Sequence, residues 1–470
     1  MTGWMRKGGI ALLLGLAGCQ TVPRTAGPDV VAPVFPASSV EVDQRSAAAR
    51  NWRSVFVDPR LQALIEIALT DSRDLRLALL DVDAARAQLR IQNAGSAPQV
   101  DAQVGYSQSG GPGDQSTGQS SVTLALSAFE LDLFGRLRAE SDSSFAAYLA
   151  AQSGRDAAQI AVMSTVADAY LAQSAAEEAV ALTTLTLVDW RASLDLTRRL
   201  QEAGQASGLD VTQAEGQVLT AEADREAALR DLAIATNALT LAIGRPMPDG
   251  LPARLGLEAE PIMTRLGAGV PSDLLEHRPD IRQAEHRLAA ANADIRAARA
   301  AFFPRLSLTA ALGSTSADLG GLFRGANRTW SFAPVITQPL FNAGRLKGAL
   351  DLAEIRADQA VATYERTIQT AFREVADGLA GRETYDAQLD RETAAVRVAE
   401  RRRLLSQQRY AAGLDSRLEL LDAQRQLYAQ QRARLATQKA RLANAVALYR
   451  ALGGGLDVGG ATAMSPSGGA

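Results

Sequence analysis

The chain carries one motif twice, in register, and this repeat limits its folds more than any other feature. Asp74-Leu75-Arg76-Leu77-Ala78 returns as Asp280-Ile281-Arg282-Gln283-Ala284, 206 residues further on. At the same offset Ala84, Arg90 and Pro98 meet Ala290, Arg296 and Pro304. Beyond them the offset becomes 209: Gly135-Arg136-Leu137 meets Gly344-Arg345-Leu346, Ala203-Gly204 meets Ala412-Gly413, and Gly244 meets Gly453. A register held over about 170 residues indicates a tandem duplication. One copy occupies residues 51–244 and the other 273–453, joined by a Pro/Gly-rich linker, 245–272. The tail, 454–470, is rich in Gly, Ala and Ser and reads as disordered.

Each copy reads as helix, strand, strand, long helix, turn, helix. Apolar residues at helical spacing (Leu61, Leu64, Ile65, Ala68, Leu69, then Leu75, Leu79 and Val82) predict one helix from Leu61 to Asn93, which Pro98 ends. Strict alternation then follows. Val100, Ala102, Val104 and Tyr106 share one face, and Val122, Leu124, Leu126 and Ala128 share one face of the next strand. Leu306, Leu308, Ala310 and Leu312 repeat the pattern, and Trp330 and Phe332 alternate with Thr329 and Ser331. The predicted strands are 99–108, 121–132, 305–313 and 328–340, with a Gly/Ser-rich loop over Gln108 to Ser120. Strands of about ten residues, apolar on one face and small and polar on the other, carry the signature of a transmembrane barrel. From Gly135 to Gly204 and from Gly344 to Gly413 the chain is free of proline and rich in helix formers, 69 residues each time. Such a helix spans roughly 100 Å. The two shorter helices of a copy, Leu61 to Asn93 and Gly208 to Ile243, together match that length, so they are expected to stack end to end beside it.

Four strands cannot close a barrel, and an open sheet edge in hydrocarbon leaves backbone groups unpaired at several kcal/mol each. More than one chain is therefore needed. Two chains give eight strands and a filled interior, whereas three give twelve and room for a lumen.

The N-terminus reads as a secretory signal over residues 1–18: Arg6 and Lys7, an apolar run, then Leu16-Ala17-Gly18-Cys19. The run is too short to cross a bilayer. Those four residues resemble a bacterial lipobox. On that reading Cys19, the only cysteine, becomes the acylated first residue of the mature chain, Gln20 matches the outer-membrane address, and residues 19–50 form an extended lipid-anchored tether.

Composition removes other classes. The net charge is −3 with pI near 5.7, which gives no support for nucleic-acid binding. With one Cys and two His, a disulfide framework and a Cys/His metal cluster are excluded. His277 and His286 form no metal set, Gly110-Gly111-Pro112-Gly113 lacks the Lys and Ser/Thr of a phosphate loop, and neither G-x-S-x-G nor H-E-x-x-H occurs. No catalytic residue, metal or cofactor is expected.

Several segments resemble the TolC-type outer-membrane channels of tripartite efflux systems, in particular the lipoprotein (NodT-like) branch that serves RND pumps. They are Arg278-Pro279-Asp280-Ile281-Arg282, Ala297 through Phe303-Pro304, Glu130 through Gly135-Arg136, Gln338-Pro339-Leu340-Phe341-Asn342-Ala343-Gly344-Arg345, Arg409-Tyr410, and Leu420 through Arg425. The resemblance implies a mixed α+β membrane protein. Three chains, four strands each, form a twelve-stranded barrel in the outer membrane, continued by a long periplasmic α-helical barrel. It implies a homotrimer that contacts outer-membrane lipid, a periplasmic adaptor and an inner-membrane RND pump. The duct passes small molecules passively and is gated at its periplasmic helical tip. Tip turns fall at Gly204 and Gly413. Glu419 and Asp422 fall at the acidic constriction, and Tyr410 and Arg425 at polar links that hold it shut. Asp210 is the copy-one counterpart of Glu419. Copy one departs from the pattern, with Gln201 at the position of Tyr410 and Phe129 where the family often has Trp. From the residues alone, Asp422 and Arg425 stand at i and i+3 and could pair, and Glu419 and Asp422 share a helix face. Two other functions are open at this stage: an outer-membrane duct for one-step (type I) protein secretion, and a periplasmic coiled-coil adaptor or scaffold lipoprotein.

Overall fold

The computed structural model describes residue 25 and residues 50–111, 116–267 and 271–456. The signal segment, Cys19, nearly all of the tether and the tail beyond residue 456 lie outside the described residues. In chain order the elements are α1 (Trp52–Val55), α2 (Pro59–Asp71), α3 (Arg73–Ala94), β1 (Val100–Gly110), β2 (Ser116–Leu131), α4 (Arg136–Glu202), α5 (Gly208–Ile243), α6 (Pro271–His277), α7 (Pro279–Ala300), β3 (Arg305–Ser316), β4 (Arg328–Thr337), α8 (Arg345–Ala411) and α9 (Arg417–Ala451). The long helices α4 and α8 are both 67 residues, about 100 Å of axis. No helix among the described residues is long and apolar enough to cross a membrane.

Two compact units emerge. One comprises Asp81–Gln152 and Gln283–Arg366 and contains the sheet. Its four strands are antiparallel in the order β1-β2-β3-β4. Directly paired residues share a face, so the register can be read across the whole sheet. Val100, Leu126, Ala310 and Phe332 lie in one row, and Ala102, Leu124, Leu312 and Trp330 in another. The strict alternation expected of β2 fails at one point. A bulge between Leu126 and Phe129 inserts one residue, and Ala128 there takes a left-handed φ of 45°. The parity of β2 therefore changes. Phe129 pairs with Leu308 and Leu131 with Leu306, so these two, rather than Ala128, complete the apolar face. Glu130 is moved to the polar face, where both its oxygens accept from Arg136, at 3.0 and 2.7 Å.

The strands exceed the predicted bounds at the β1–β2 hairpin. Gln108, Ser109 and Gly110 pair with Gly118, Thr117 and Ser116, because small polar side chains are compatible with a ladder as well as with a loop. Among the described residues nothing covers the apolar face. Val104, Trp330 and Ile336 are exposed by 82%, 78% and 71%. No strand among the described residues pairs with the outer edge of β1 or of β4.

The other unit comprises Asp29–Leu80, Ser153–Arg282 and Thr367–Ala470. Its core buries Trp52, Phe56, Leu64, Ile65, Met163, Tyr170, Leu239, Ile262 and Tyr449 almost completely. Each such side chain contributes about 1.5–3 kcal/mol by burial. Asp58 caps α2 through the Arg60 N–H at 2.8 Å. Fully buried, it also accepts from the Leu255 N–H at 3.0 Å and from the Tyr170 hydroxyl. Burial, then the Asp58 contact, raises the Tyr170 pKa above the ordinary phenol range. The segment read as a linker is not slack: Leu257, Ile262 and Leu266 join this core.

The helix expected from Leu61 to Asn93 is broken at Ser72, whose backbone is extended. The cause is the end of α5. Gly244, at φ 77°, lies so close that a Cβ would sit 2.5 Å from the Asp71 carbonyl. At Gly453, φ 95°, a Cβ would sit 3.1 Å from the carbonyl of His277, the last residue of α6. At each junction a helix C-terminus abuts the point where another helix restarts, as end-to-end stacking requires.

Candidate functional site at the two hairpin turns

The turns α4–α5 and α8–α9 are built alike. Each long helix ends on a left-handed glycine, Gly204 at φ 71° and Gly413 at φ 68°. Each closes with a Schellman pattern. The Gln205 N–H donates to the Leu200 carbonyl at 2.7 Å, and the Leu414 N–H to the Arg409 carbonyl at 2.9 Å. A serine then caps the next helix, Ser207 for α5 and Ser416 for α9.

The carboxylates three residues after those serines behave differently. Asp210 completes a capping box: it accepts from the Ser207 N–H at 2.9 Å and from its hydroxyl at 2.6 Å. These bonds, the Ser207 hydroxyl first, hold the Asp210 carboxyl below the usual range. Glu419 does not reach back. Its backbone N–H is the donor to Ser416, while its side chain accepts from Arg402 at 2.7 Å. The same Arg402 nitrogen donates to Asp422 at 2.8 Å, and Arg402 also bonds Gln426. Arg402 stands on α8, so one guanidinium ties that helix to both carboxylates of α9. The two hydrogen bonds raise its pKa.

The expected Asp422–Arg425 pair is not formed. Arg425 is exposed and makes no hydrogen bond or ion pair among the described residues. Tyr410 is likewise not joined to Arg425. Its ring lies under the guanidinium of Arg417, 5.4 Å from the centroid. Arg417, the first residue of α9, is only 4% exposed and donates to the Ser193 hydroxyl of α4 at 2.7 Å. Its Nε and one terminal nitrogen find no acceptor among the described residues, and burial lowers its pKa. Further up, Gln217 donates to the Leu421 carbonyl at 3.2 Å. The Tyr428 hydroxyl donates to Asp224 at 3.0 Å, and the Tyr428 ring meets Trp190 edge-on at 5.7 Å.

Arg402 and Arg417 escape a reading of the sequence alone, yet a signal exists. At the 209-residue offset their counterparts are Ser193 and Gly208, so copy two carries two cations where copy one is neutral. The arrangement offers charge and hydrogen-bonded latches between helices. No group of three or more His, Cys, Asp or Glu side chains among the described residues could hold a metal.

Comparison with known proteins agrees with this architecture. The family model described as outer membrane efflux protein matches residues 64–245 and 270–454. The antibiotic efflux pump outer membrane protein ArpC of Pseudomonas putida is 44% identical over 452 residues, 94% of this chain and 93% of its own. Outer membrane protein OprJ of Pseudomonas aeruginosa is 42% identical over 465 residues, 96% and 95% of the two chains. Among solved structures, the open state of the Neisseria gonorrhoeae MtrE outer membrane channel superposes with a TM-score of 0.85 at 37% identity. It covers 93% of this chain and 98% of that one.

Proposed function

The chain belongs to the outer membrane efflux protein family, and on that premise we propose that three copies form the exit duct of a tripartite pump, gated at the hairpin turns. The family is one of outer-membrane channels serving efflux, not of enzymes. The observation that carries the proposal is the sheet. One face is apolar along all four strands and exposed, the other is small and polar, and both outer edges are unpaired among the described residues. In hydrocarbon those edges would cost several kcal/mol per unpaired group, and pairing β1 of one copy with β4 of the next removes every one of them. Three copies give twelve strands around a watery lumen lined by residues such as Gln103, Thr123, Ser307 and Ser331.

The repeated junctions and turns support a duplicated origin for the two halves. In this reading Cys19, outside the described residues, carries the lipid that tethers the mature N-terminus to the outer membrane. The helices reach into the periplasm toward an adaptor and an RND-type inner-membrane pump, and drugs or other small molecules pass passively. Gly204 and Gly413 mark the periplasmic tips, where Asp210, Tyr410, Glu419, Asp422 and Arg425 surround the gate. Arg402 and Arg417 hold the hairpins together there. Purified protein in planar bilayers, with its mass measured in detergent, tests the proposal. A trimer with discrete conductance is expected, and a stable monomer without conductance overturns it.

A further inference from the structure

Within the sheet-bearing unit, a cavity of about 530 Å³ lies where the strands give way to helices. Phe134, three residues beyond the last residue of β2, and Phe302 and Phe303, just before β3 begins, form its apolar wall. Phe134 and Phe303 stack at 4.9 Å with their planes 13° apart. The charged lining of the cavity is mostly cationic: Arg138, Arg296 and Arg299 stand against a single acid, Asp142. Arg296 is neutralised by Asp142 at 2.9 Å, and Arg299 by Glu354 at 2.8 Å. The guanidinium of Arg138 makes no hydrogen bond or ion pair among the described residues, while its backbone N–H is held by Asp132 at 2.9 Å. The site thus combines an aromatic wall, one uncommitted guanidinium and two more arginines within reach. It sits at the end of the apolar rows, where Leu131 pairs with Leu306.

We infer that this cavity binds the headgroup of an anionic phospholipid from the periplasmic leaflet, the phosphate on Arg138 and the upper acyl chain against Phe134 and Phe303. The inference rests on the reading that the strands are in the membrane. That reading puts the cavity at the depth of the headgroups, where aromatic rings and arginines favour an interfacial anion. The net positive lining selects an anionic headgroup over a zwitterionic one, and the stacked rings select a lipid over free phosphate.

Native mass spectrometry of detergent-purified trimers, titrated with phosphatidylglycerol or phosphatidylethanolamine, tests this. About one phosphatidylglycerol per chain is expected, with clear preference over phosphatidylethanolamine. Arg138→Gln should weaken the affinity about fivefold, and Arg138→Gln with Arg299→Gln further. Arg328→Gln, at the start of β4, should leave it unchanged. The wild-type preference should shrink as salt rises, a measurement that needs no variant to fold. Equal binding of the two lipids, no loss with Arg138→Gln, or no bound lipid at all (the cavity being covered by a neighbouring copy) would each overturn the assignment. Complete displacement by millimolar inorganic phosphate would identify a free anion as the ligand instead. Conductance of the same preparation separates this proposal from the duct: conductance without lipid selectivity removes only the lipid site, and selectivity without conductance removes only the duct.

Discussion

Phe56 and Ile262 face each other across an isolated antiparallel bridge, although 206 residues separate them in the chain. That separation equals the offset at which Asp74 meets Asp280. The flanking bonds are reciprocal. The Val57 N–H donates to the Pro261 carbonyl at 2.9 Å, and the Met263 N–H to the Val55 carbonyl at 2.8 Å. The two donors, Val57 and Met263, and the two acceptors, Val55 and Pro261, each stand 206 residues apart, so the bridge is symmetric about its centre. Phe56 and Ile262 are fully buried, and Phe56 meets Tyr449 edge-on at 5.2 Å.

This bridge welds the start of the chain to the segment between the halves, so its loss should be felt globally. Phe56→Ala is expected to cost about 3–5 kcal/mol and Ile262→Ala about 2–5 kcal/mol. The double variant should fall short of their sum by more than 0.5 kcal/mol, because the two residues share one packing site. Urea unfolding in detergent, followed by helical circular dichroism, measures the cycle. Strict additivity would deny the coupling.

The bulge at Ala128 makes a second, opposite prediction. An L-residue at φ 45° carries roughly 1–2 kcal/mol of strain that glycine does not. Ala128→Gly should recover part of that strain, offset by the greater freedom of glycine in the unfolded chain, and so be close to neutral or mildly stabilising. Inserting one further residue after Ala128 should be far worse. It would return Glu130 to the apolar face and turn Phe129 and Leu131 away from it. Heat-resistant oligomer on a gel should survive the substitution and vanish with the insertion.

These residues also show what could be read from the sequence. Period-two alternation located all four strands, and the left-handed glycines at 204 and 413 fall at the expected turns. The bulge was hidden because alanine is small enough for either face, so Ala128 sustains an alternation that the backbone does not follow. The break at Ser72 was hidden because its cause, Gly244, comes from a distant part of the chain. At the turns, the caps at Ser207 and Ser416 are local and legible. Arg402 and Arg417 act through space, across a hairpin and between hairpins, and no spacing rule within one helix points to their partners.

The position of Arg402 yields a gating prediction. It holds Glu419 and Asp422 together from α8, whereas Arg425 holds neither. Arg402→Ala should free both carboxylates and raise the single-channel conductance of the resting duct. Arg425→Ala alone should do less. Asp422→Ala with Arg425→Ala should also loosen the closed state, because it removes one of the two carboxylates that Arg402 holds. Conductance recorded in planar bilayers ranks the three variants. An Arg425→Ala effect larger than that of Arg402→Ala would reverse the assignment of the latch.

Tyr428 sets a limit at alkaline pH. Burial first, and then the hydrogen bond to Asp224, push its phenol up to about 12. The folded state therefore holds a proton that the unfolded chain releases near the ordinary value of about 10. A raised folded pKa contributes stability that is fully present below the unfolded value and is lost as pH rises through the folded one. The bond between α5 and α9 should consequently hold to about pH 10 and weaken progressively toward 12. Ionisation would place a phenolate against the Asp224 carboxylate, with Arg432, 3.4 Å from the same carboxylate, as the nearby cation. Tyr428→Phe should remove the dependence together with the hydrogen bond, at a cost of about 1.5–3 kcal/mol for a bond to a charged acceptor. Phenolate absorbance should report one tyrosine titrating near 12 in the wild type and missing in Tyr428→Phe. Unfolding midpoints of the two proteins should converge as pH rises through that window, and a wild-type midpoint that stays flat relative to the variant would remove the linkage.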